Sequence, residues 1–356
     1  MRVERIAMRD FRSYEDAELE LGPGLTVVHG ANGAGKTNLV EALYFACTAR
    51  SFRTSSERNL VRFGASSTRV VISGSDRDGP HQIAVGFAPG EPKHISSDGA
   101  PVERLGDLAH RPLASVFSPD RLDLIKGQPG IRRAHLDQFV AALWPARAAT
   151  RRAYHEALAQ RNALLARVRA GRAPASALDP WNLTLARSGV TLAGDRAAAA
   201  AAIEEGFARH ALALGVDGAA TVAYRPRSRA VDAAALQREL AEHLEADLAR
   251  GYTTHGPHRD ELVIARDRRD LRTFGSQGEQ RLALLALLLA ERDALAAARD
   301  RPPIMLLDDV MSELDLTRRE RLASELRSGG QSVVTTTEAA HVPGWDAAEV
   351  TLVSVP

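Results

Sequence analysis

Gly30-Ala31-Asn32-Gly33-Ala34-Gly35-Lys36-Thr37 is a complete G-x-x-x-x-G-K-[ST] phosphate loop, and the apolar run Leu25-Thr26-Val27-Val28-His29 before it reads as a buried strand. Glycines let successive backbone N–H groups wrap an anion at close range, where a Cβ would obstruct. Lys36 is placed to reach the β- and γ-phosphates of a nucleoside triphosphate, and Thr37 to hold a magnesium ion. Beyond the loop, Leu39, Val40, Leu43, Tyr44 and Cys47 recur at helical spacing, so the phosphates would lie at a helix N-terminus whose free N–H groups favour negative charge. The chain has 43 arginines against three lysines, Lys36, Lys93 and Lys126. A lysine kept at position 36 amid that bias marks a place where a compact point charge is needed. The expected ligand is ATP with magnesium.

At 356 residues the chain is long for one core, and the expectation is two domains or one large domain with a smaller one appended. The charged start, Met1-Arg2-Val3-Glu4-Arg5, does not read as a signal peptide. The longest apolar run, Leu282 to Ala290, is too short to cross a bilayer and is closed by Glu291-Arg292-Asp293. A cytoplasmic protein with no membrane partner is expected. The lone Cys47 suits a reducing compartment and reads as a small core residue. The formal net charge of +1 conceals segregation: from Arg121 to Ala170 ten basic residues face three acids, a local +7 against −6 elsewhere. Such a segment can dock DNA phosphates; solvated arginine-rich helix faces would account for the same count.

Residues 2–29 read as three strands joined by the turns Arg12-Ser13-Tyr14-Glu15 and Gly22-Pro23-Gly24, of the kind that joins antiparallel neighbours. More strands are expected at Thr68–Ser73, Gln82–Phe87 and His94–Ser97. From Ile131 to about Leu214 the chain is rich in alanine, leucine and arginine, with breaks at Trp144-Pro145 and between Gly171 and Pro180. Leu158, Leu164, Leu165 and Val168 form a stripe on an ascending helix; Leu183, Leu185, Val190, Leu192, Ile203 and Phe207 supply candidates on a returning one. A short antiparallel helical hairpin is expected. Alternation then resumes: a helix over Val231–Arg250, a strand at Glu261–Arg266, a long helix from about Gly278 to Ala298, a strand at Ile304–Leu307, a helix over Thr317–Arg327, and strands at Ser332–Thr336 and Glu349–Val353. This is the second half of an α/β sheet.

Asp308 and Asp309 end the Ile304–Leu307 strand, where ligands gather in open α/β sheets. One carboxylate can hold magnesium while the next orients or deprotonates an attacking water. Upstream, Ser276-Gln277-Gly278-Glu279 opens the long helix. Ser276 and Glu279 have capping-box spacing, and the exposed N–H groups there offer a second anion site. One chain does not need two such sites for one γ-phosphate. Two chains facing each other do, each lending this helix to the other's nucleotide.

The phosphate loop, the Ser276-to-Glu279 signature, the strand ending in Asp308-Asp309 and the following Ser312-Glu313-Leu314-Asp315 resemble the ABC-type ATPase heads of SMC and related DNA-repair proteins. Within that group the order of Arg50-Ser51-Phe52-Arg53, Phe117-Ser118-Pro119-Asp120, Arg132-Arg133-Ala134-His135-Leu136-Asp137, Gly256-Pro257-His258-Arg259-Asp260 and Leu307 to Asp315 is similar to the RecF family along essentially the whole chain. The resemblance implies an α/β fold: an ABC-type head, with a mixed β subdomain and a parallel-sheet core, carrying an inserted helical lobe. Residues 1–125 would form the N-terminal part of the head, 126–220 the lobe and 221–356 the C-terminal part of the head. It also implies ATP-driven homodimerisation, binding of duplex and gapped DNA, and work with RecR and RecO in loading RecA. By position, Ser276, Gln277, Gly278 and Glu279 would meet the partner's γ-phosphate, Asp308 would serve magnesium, Asp309 would be the hydrolytic carboxylate, and Asp315 would lie at the dimer seam. Asp309 stands where most ABC ATPases have glutamate, and Thr335-Thr336-Thr337 where a switch histidine is usual. A carboxylate shorter by one methylene implies slow hydrolysis, making ATP a timer for the dimer. Gln128 and Gln138 are both candidates for the Q-loop glutamine. Arg50, Arg53, Arg132, Arg133, Arg151 and Arg152 are the candidate DNA contacts. The ATPase subunit of an ABC transporter is the alternative reading, and a small-molecule kinase a third.

Overall fold

Residues Leu25–His29 form a strand whose first four members are buried, as expected of a central strand covered on both faces. In the structure, a computed structural model describing residues Met1–Val355, the strands run β1 (Arg2–Phe11), β2 (Tyr14–Glu20), β3 (Leu25–His29), β4 (Thr68–Asp76), β5 (Gly79–Phe87), β6 (His94–Ser97), β7 (Ala100–Pro101), β8 (Ala114–Phe117), β9 (Ala220–Arg225), β10 (Glu261–Arg266), β11 (Arg269–Asp270), β12 (Ile304–Leu307), β13 (Ser332–Thr336) and β14 (Thr351–Ser354). The helices are α1 (Lys36–Thr48), α2 (Asp123–Lys126), α3 (Pro129–Leu143), α4 (Ala148–Arg169), α5 (Asp179–Ala213), α6 (Ala233–Glu242), α7 (Leu244–Arg250), α8 (Leu271–Phe274), α9 (Gln277–Arg299) and α10 (Leu316–Ser328).

The chain divides into two compact units. The first comprises Met1–Leu122, Ala213–Gly215 and Leu295 to the C-terminus; the second comprises Asp123–Leu212 and Val216–Ala294. In the first unit a five-stranded sheet has the order β14-β3-β13-β12-β8, and every neighbouring pair in it is parallel. A six-stranded antiparallel sheet has the order β2-β1-β4-β5-β6-β7. Helix α1 is the shared core: Leu39, Val40, Leu43 and Phe45 cluster with Val3, Ile6, Met8, Val70 and Ile83 of the antiparallel sheet and with Val28, Val116, Leu306 and Val333 of the parallel one. No helix among the described residues is long and apolar enough to cross a membrane.

The three N-terminal strands were expected to pair in sequence. β1 and β2 do so, but β3 leaves for the parallel sheet. β2 alternates between half-buried and exposed residues, which suits an edge strand with one wet face; β3 has no wet face to offer. The strand expected at Glu349–Val353 begins at Thr351, because Val350 closes a turn onto the carbonyl of Ala347.

In the second unit α4 and α5 form the expected antiparallel hairpin. Arg161 bonds Asn182, Tyr154 packs where Gly189 leaves room, and Arg147 bonds Asp195, so the contacts step in opposite directions along the two helices. The buried stripe of α4 is Tyr154, Ala157, Arg161 and Leu165, one face at helical spacing. Of the expected core residues Leu165 is in it, whereas Leu183 of α5 is 36% exposed. The helix expected over Val231–Arg250 is two helices, α6 and α7, that meet at His243. Asp232 caps the first through the N–H of Ala235. Asp247 of the second is buried and bonds Arg161 and Thr254. The antiparallel sheet β11-β10-β9 belongs to this unit, which therefore extends well past residue 220, where the sequence reading ended the lobe.

Candidate nucleotide site

The C-terminal ends of β3, β12 and β13 lie side by side in the parallel sheet, which brings Gly30, Asp308 and Thr335 to one edge. The loop after β3 is fitted by its glycines. A Cβ on Gly30 would come within 2.3 Å of the Val355 carbonyl oxygen, and Gly35 has a φ of +105° with Tyr14 Oη 2.9 Å from its would-be Cβ. Tyr14 donates to the Gly35 carbonyl at 3.1 Å, and burial pushes its hydroxyl pKa up to about 12, so it remains a neutral donor. Ala31, Asn32 and Gly33 are exposed at the tip of the loop. Lys36 is buried, and its Nζ donates to the carbonyls of Gly30 and Ala31 at 2.7 and 2.8 Å. The ammonium is thus held inside the loop it serves.

Thr37 and Asp308, far apart in sequence, meet: Thr37 Oγ1 lies 3.0 and 2.9 Å from the two carboxylate oxygens of Asp308. On the other side Thr335 Oγ1 donates to Asp308 Oδ1 at 2.8 Å. Burial raises the Asp308 pKa; the Thr335 and Thr37 hydroxyls pull it down, Asp309 adds to the rise and Arg53 opposes it. A hydroxyl beside a carboxylate is a hard-oxygen donor set of the kind magnesium takes, so these two residues could hold that ion. Asp309, half-buried, adopts a left-handed φ of +49°, and its N–H donates to Thr335 Oγ1 at 2.9 Å. Thr335 therefore secures both carboxylate residues at once, a role the sequence reading did not give it.

A second residue missed in the sequence is Glu41 on α1, fully buried. It accepts two bonds from Arg12, at 2.8 and 2.7 Å, one from Ser51 at 2.5 Å and one from Arg53 at 3.1 Å. Arg53 also bonds Asn38, so this candidate DNA contact is tied to the first turns of α1. Glu41 lies to one side of the Leu39, Val40, Leu43, Tyr44 and Cys47 stripe, so no local signal marked it. Asp315 is exposed and caps α10 through the N–H of Arg318 at 2.9 Å. Gln128 immediately precedes α3 in the second unit.

In the second unit Ser276 and Glu279 form the expected capping box. The N–H of Ser276 donates to Glu279 Oε2 at 2.8 Å, and that of Glu279 to Ser276 Oγ at 3.3 Å. The Ser276 N–H, with Arg266 beside it, holds the Glu279 carboxyl below its usual range. Ser276, Gln277 and Gly278 are exposed, while Gln280 turns inward to the carbonyl of Leu271. Four other candidate arginines lie in this unit. Arg132 is a correction: it is 3% exposed, bonds both oxygens of Glu261 at 2.8 and 3.0 Å, and reaches the carbonyls of Ile125 and Gly127. Its guanidinium is consumed as an internal strut. Arg161, counted in the basic segment, is likewise buried. Arg133 bonds the Asp260 carbonyl, Arg151 pairs with Asp137 while remaining 44% exposed, and Arg152 is exposed. Arg50, in the first unit, is exposed as well.

A phosphate loop, a strand ending in paired carboxylates and a signature-bearing helix define an ABC-type ATPase head. The fold agrees: an SMC head bound to the C-terminal winged-helix domain of ScpA superposes with a TM-score of 0.59 at 17% identity, over 96% of this chain and 91% of that one. The AAA domain family matches residues 5–94. The DNA replication and repair protein RecF of Anaeromyxobacter sp. (strain Fw109-5) is 40% identical over 354 residues, 95% of this chain and 93% of its own. That of Frankia alni is 36% identical over 362 residues, 96% and 95% of the two chains. A structure of the recombination mediator protein RecF of the RecFOR pathway, solved as RecF-ATP, has a TM-score of 0.85 at 28% identity and covers 94% of this chain and 92% of its own. The chain belongs to the RecF family of DNA replication and repair proteins. Its fold is that of the ABC-type ATPase heads, and this kinship does not favour the transporter reading.

Proposed function

We propose that this protein is a DNA-binding ATPase of recombinational repair that dimerises around two ATP molecules. The observation that carries the reading is the meeting of Thr37 and Asp308 within 3.0 Å at the loop that holds Lys36. Lys36 balances phosphate charge from inside the loop. A magnesium ion held by Thr37 and Asp308 would neutralise charge developing on the transferred phosphoryl group. Asp309 takes the proton of the attacking water; its side chain is one methylene shorter than glutamate and its backbone is pinned by Thr335, so turnover is slow and DNA contact tunes it. The exposed Ser276-Gln277-Gly278 turn meets the nucleotide of the partner copy, and Asp315 lies at the seam. In the cytoplasm the ATP-bound dimer grips duplex and gapped DNA through Arg50, Arg53, Arg133, Arg151 and Arg152, with strong salt dependence and little sequence preference. RecR and RecO act with it, and RecA is loaded downstream.

Sedimentation velocity with Mg-ATP tests the reading. The parent should run as a dimer, Ser276→Arg as a monomer that still binds ATP, and Asp309→Asn as a longer-lived dimer. A monomeric parent at saturating Mg-ATP would refute it, and a Ser276→Arg dimer would remove the cross-subunit role. Ser276 is exposed, so that substitution costs only a helix cap, about 1 kcal/mol.

A further inference from the structure

Phe63 is wholly exposed, at 100%, on a turn that fixes where it points. Ala65 N–H donates to the Arg62 carbonyl at 3.0 Å, and Gly64 supplies the left-handed φ of +87° that the turn requires. The loop is moored to the end of β1: Arg62 N–H donates to the Asp10 carbonyl at 2.8 Å, Arg62 Nε donates to Asp10 Oδ1 at 2.7 Å, and Phe11 bridges Val61. One residue further on, Arg12 N–H donates to the Leu60 carbonyl at 2.8 Å, and the Arg12 side chain reaches Glu41 behind the phosphate loop. The backbone that carries the aromatic knuckle is thus anchored to the end of β1, next to Arg12.

Its surroundings are cationic. From Arg50 to Arg69 there are five arginines and one acid, Glu57, which is ion-paired with Lys93; Arg53 pairs with Glu41 and Arg62 with Asp10 and Glu15, and among the described residues Arg50, Arg58 and Arg69 form no ion pair. Arg9 and Arg69 stand directly opposite each other on β1 and β4, an arrangement of like charges that is unfavourable unless an anion lies between them. Both are exposed. Asp16 lies opposite Arg9 on β2, and among the described residues it forms no ion pair with Arg9. Ser55, Ser56, Ser66 and Ser67, all exposed or half-buried, add hydroxyl donors. A protein partner would want a contiguous apolar patch around a central anchor; a single aromatic among arginines and serines is instead the composition of a platform for a nucleobase with phosphates on either side.

We propose that Phe63 stacks on an unpaired base of DNA while Arg9, Arg58 and Arg69 hold the flanking phosphates, so that this face distinguishes DNA with an accessible base from uninterrupted duplex. The inference rests on the DNA-binding reading above. Stacking needs an exposed π-face and no base identity, so the preference is for structure rather than sequence.

The test uses the full chain with Mg-ATP and measures affinity by fluorescence anisotropy for a blunt duplex and for the same duplex carrying a single-stranded extension. Phe63→Ala should bind the extended DNA about 10-fold more weakly, with blunt-duplex affinity and ATP affinity unchanged. Phe63→Trp should restore the lost affinity, and 2-aminopurine placed at the junction should respond to the parent and the Trp variant but not to the Ala variant. Phe63→Ala binding both DNAs as the parent does, or losing both equally, overturns the stacking role while leaving the DNA reading intact. A parent that retains neither DNA overturns both.

Discussion

Thr335→Val removes one oxygen atom and tests the way the two carboxylate residues are held. The swap is close to isosteric, so the loss is polar: the Asp309 N–H loses its acceptor and Asp308 loses a donor, both in a place where Thr335 is fully buried. A buried donor stripped of its partner costs about 1–3 kcal/mol, and a bond to a charged group is worth about 1.5–3 kcal/mol. Shared relaxation makes the two non-additive, and a loss of about 2–4 kcal/mol is expected in urea unfolding. The pH dependence has a definite sign. Burial already raises Asp308 above its ordinary value of 3.8, and Thr335 is the largest influence opposing that rise. Without it the folded carboxyl keeps its proton to higher pH than the unfolded one does, so stability declines as pH climbs from the ordinary value through the raised one, and the valine variant declines further. Magnesium needs the ionised carboxylate, so half-saturation of Mg-ATP binding should move to higher magnesium in the variant, most at the acidic end. Thr335→Ser should behave as the parent. A valine variant with the parent's urea midpoint and magnesium requirement would show that Thr335 is only filling space.

Lys36→Met should abolish measurable ATP binding in calorimetry, and retained tight binding would overturn the contact assigned to that ammonium. Arg161→Met should cost about 3–5 kcal/mol in chemical unfolding, because it abandons Asp247, fully buried, without its partner; changing both residues to apolar ones should recover much of that. His258 sits between the Tyr154 hydroxyl at 2.7 Å and the Thr253 carbonyl at 2.9 Å, and burial lowers its pKa to about 4. Its folded form stays neutral while the unfolded form protonates, so stability should fall as pH drops from about 6.5 towards 4, and His258→Gln should flatten that limb of the pH–stability curve. Burial pushes the Cys47 thiol up to about 12, so iodoacetamide should label it only on unfolding; rapid labelling of the native protein would contradict its place in the core.

The candidate sites in the two units were legible where local sequence carries the pattern. The loop from Gly30 to Thr37, the Asp308-Asp309 pair and the Ser276/Glu279 box each have a spacing that one segment fixes by itself. What stayed hidden was made by distant segments. Thr335 looks like any strand threonine until β13 lies beside β12, and Glu41 looks like a surface acid until Arg12, Ser51 and Arg53 converge on it. Arg132 misled for the same reason: charge can be counted from sequence, but the Glu261 that neutralises it arrives on β10. β8 and β9, of four and six residues, were overlooked. The break at His243 was missed because α6 and α7 are both helical and only one residue separates them.

β3 pairs with β13 and β14 and with nothing nearer in the chain, which has a consequence for biosynthesis. A ribosome releases the phosphate loop early, but the strands that brace it emerge only after almost everything else has been made. The antiparallel sheet, built from neighbouring segments, can assemble on the nascent chain; the parallel one must wait. The candidate nucleotide site is therefore completed late in the life of each molecule, and a chain cut short before β13 would lack strands that brace it.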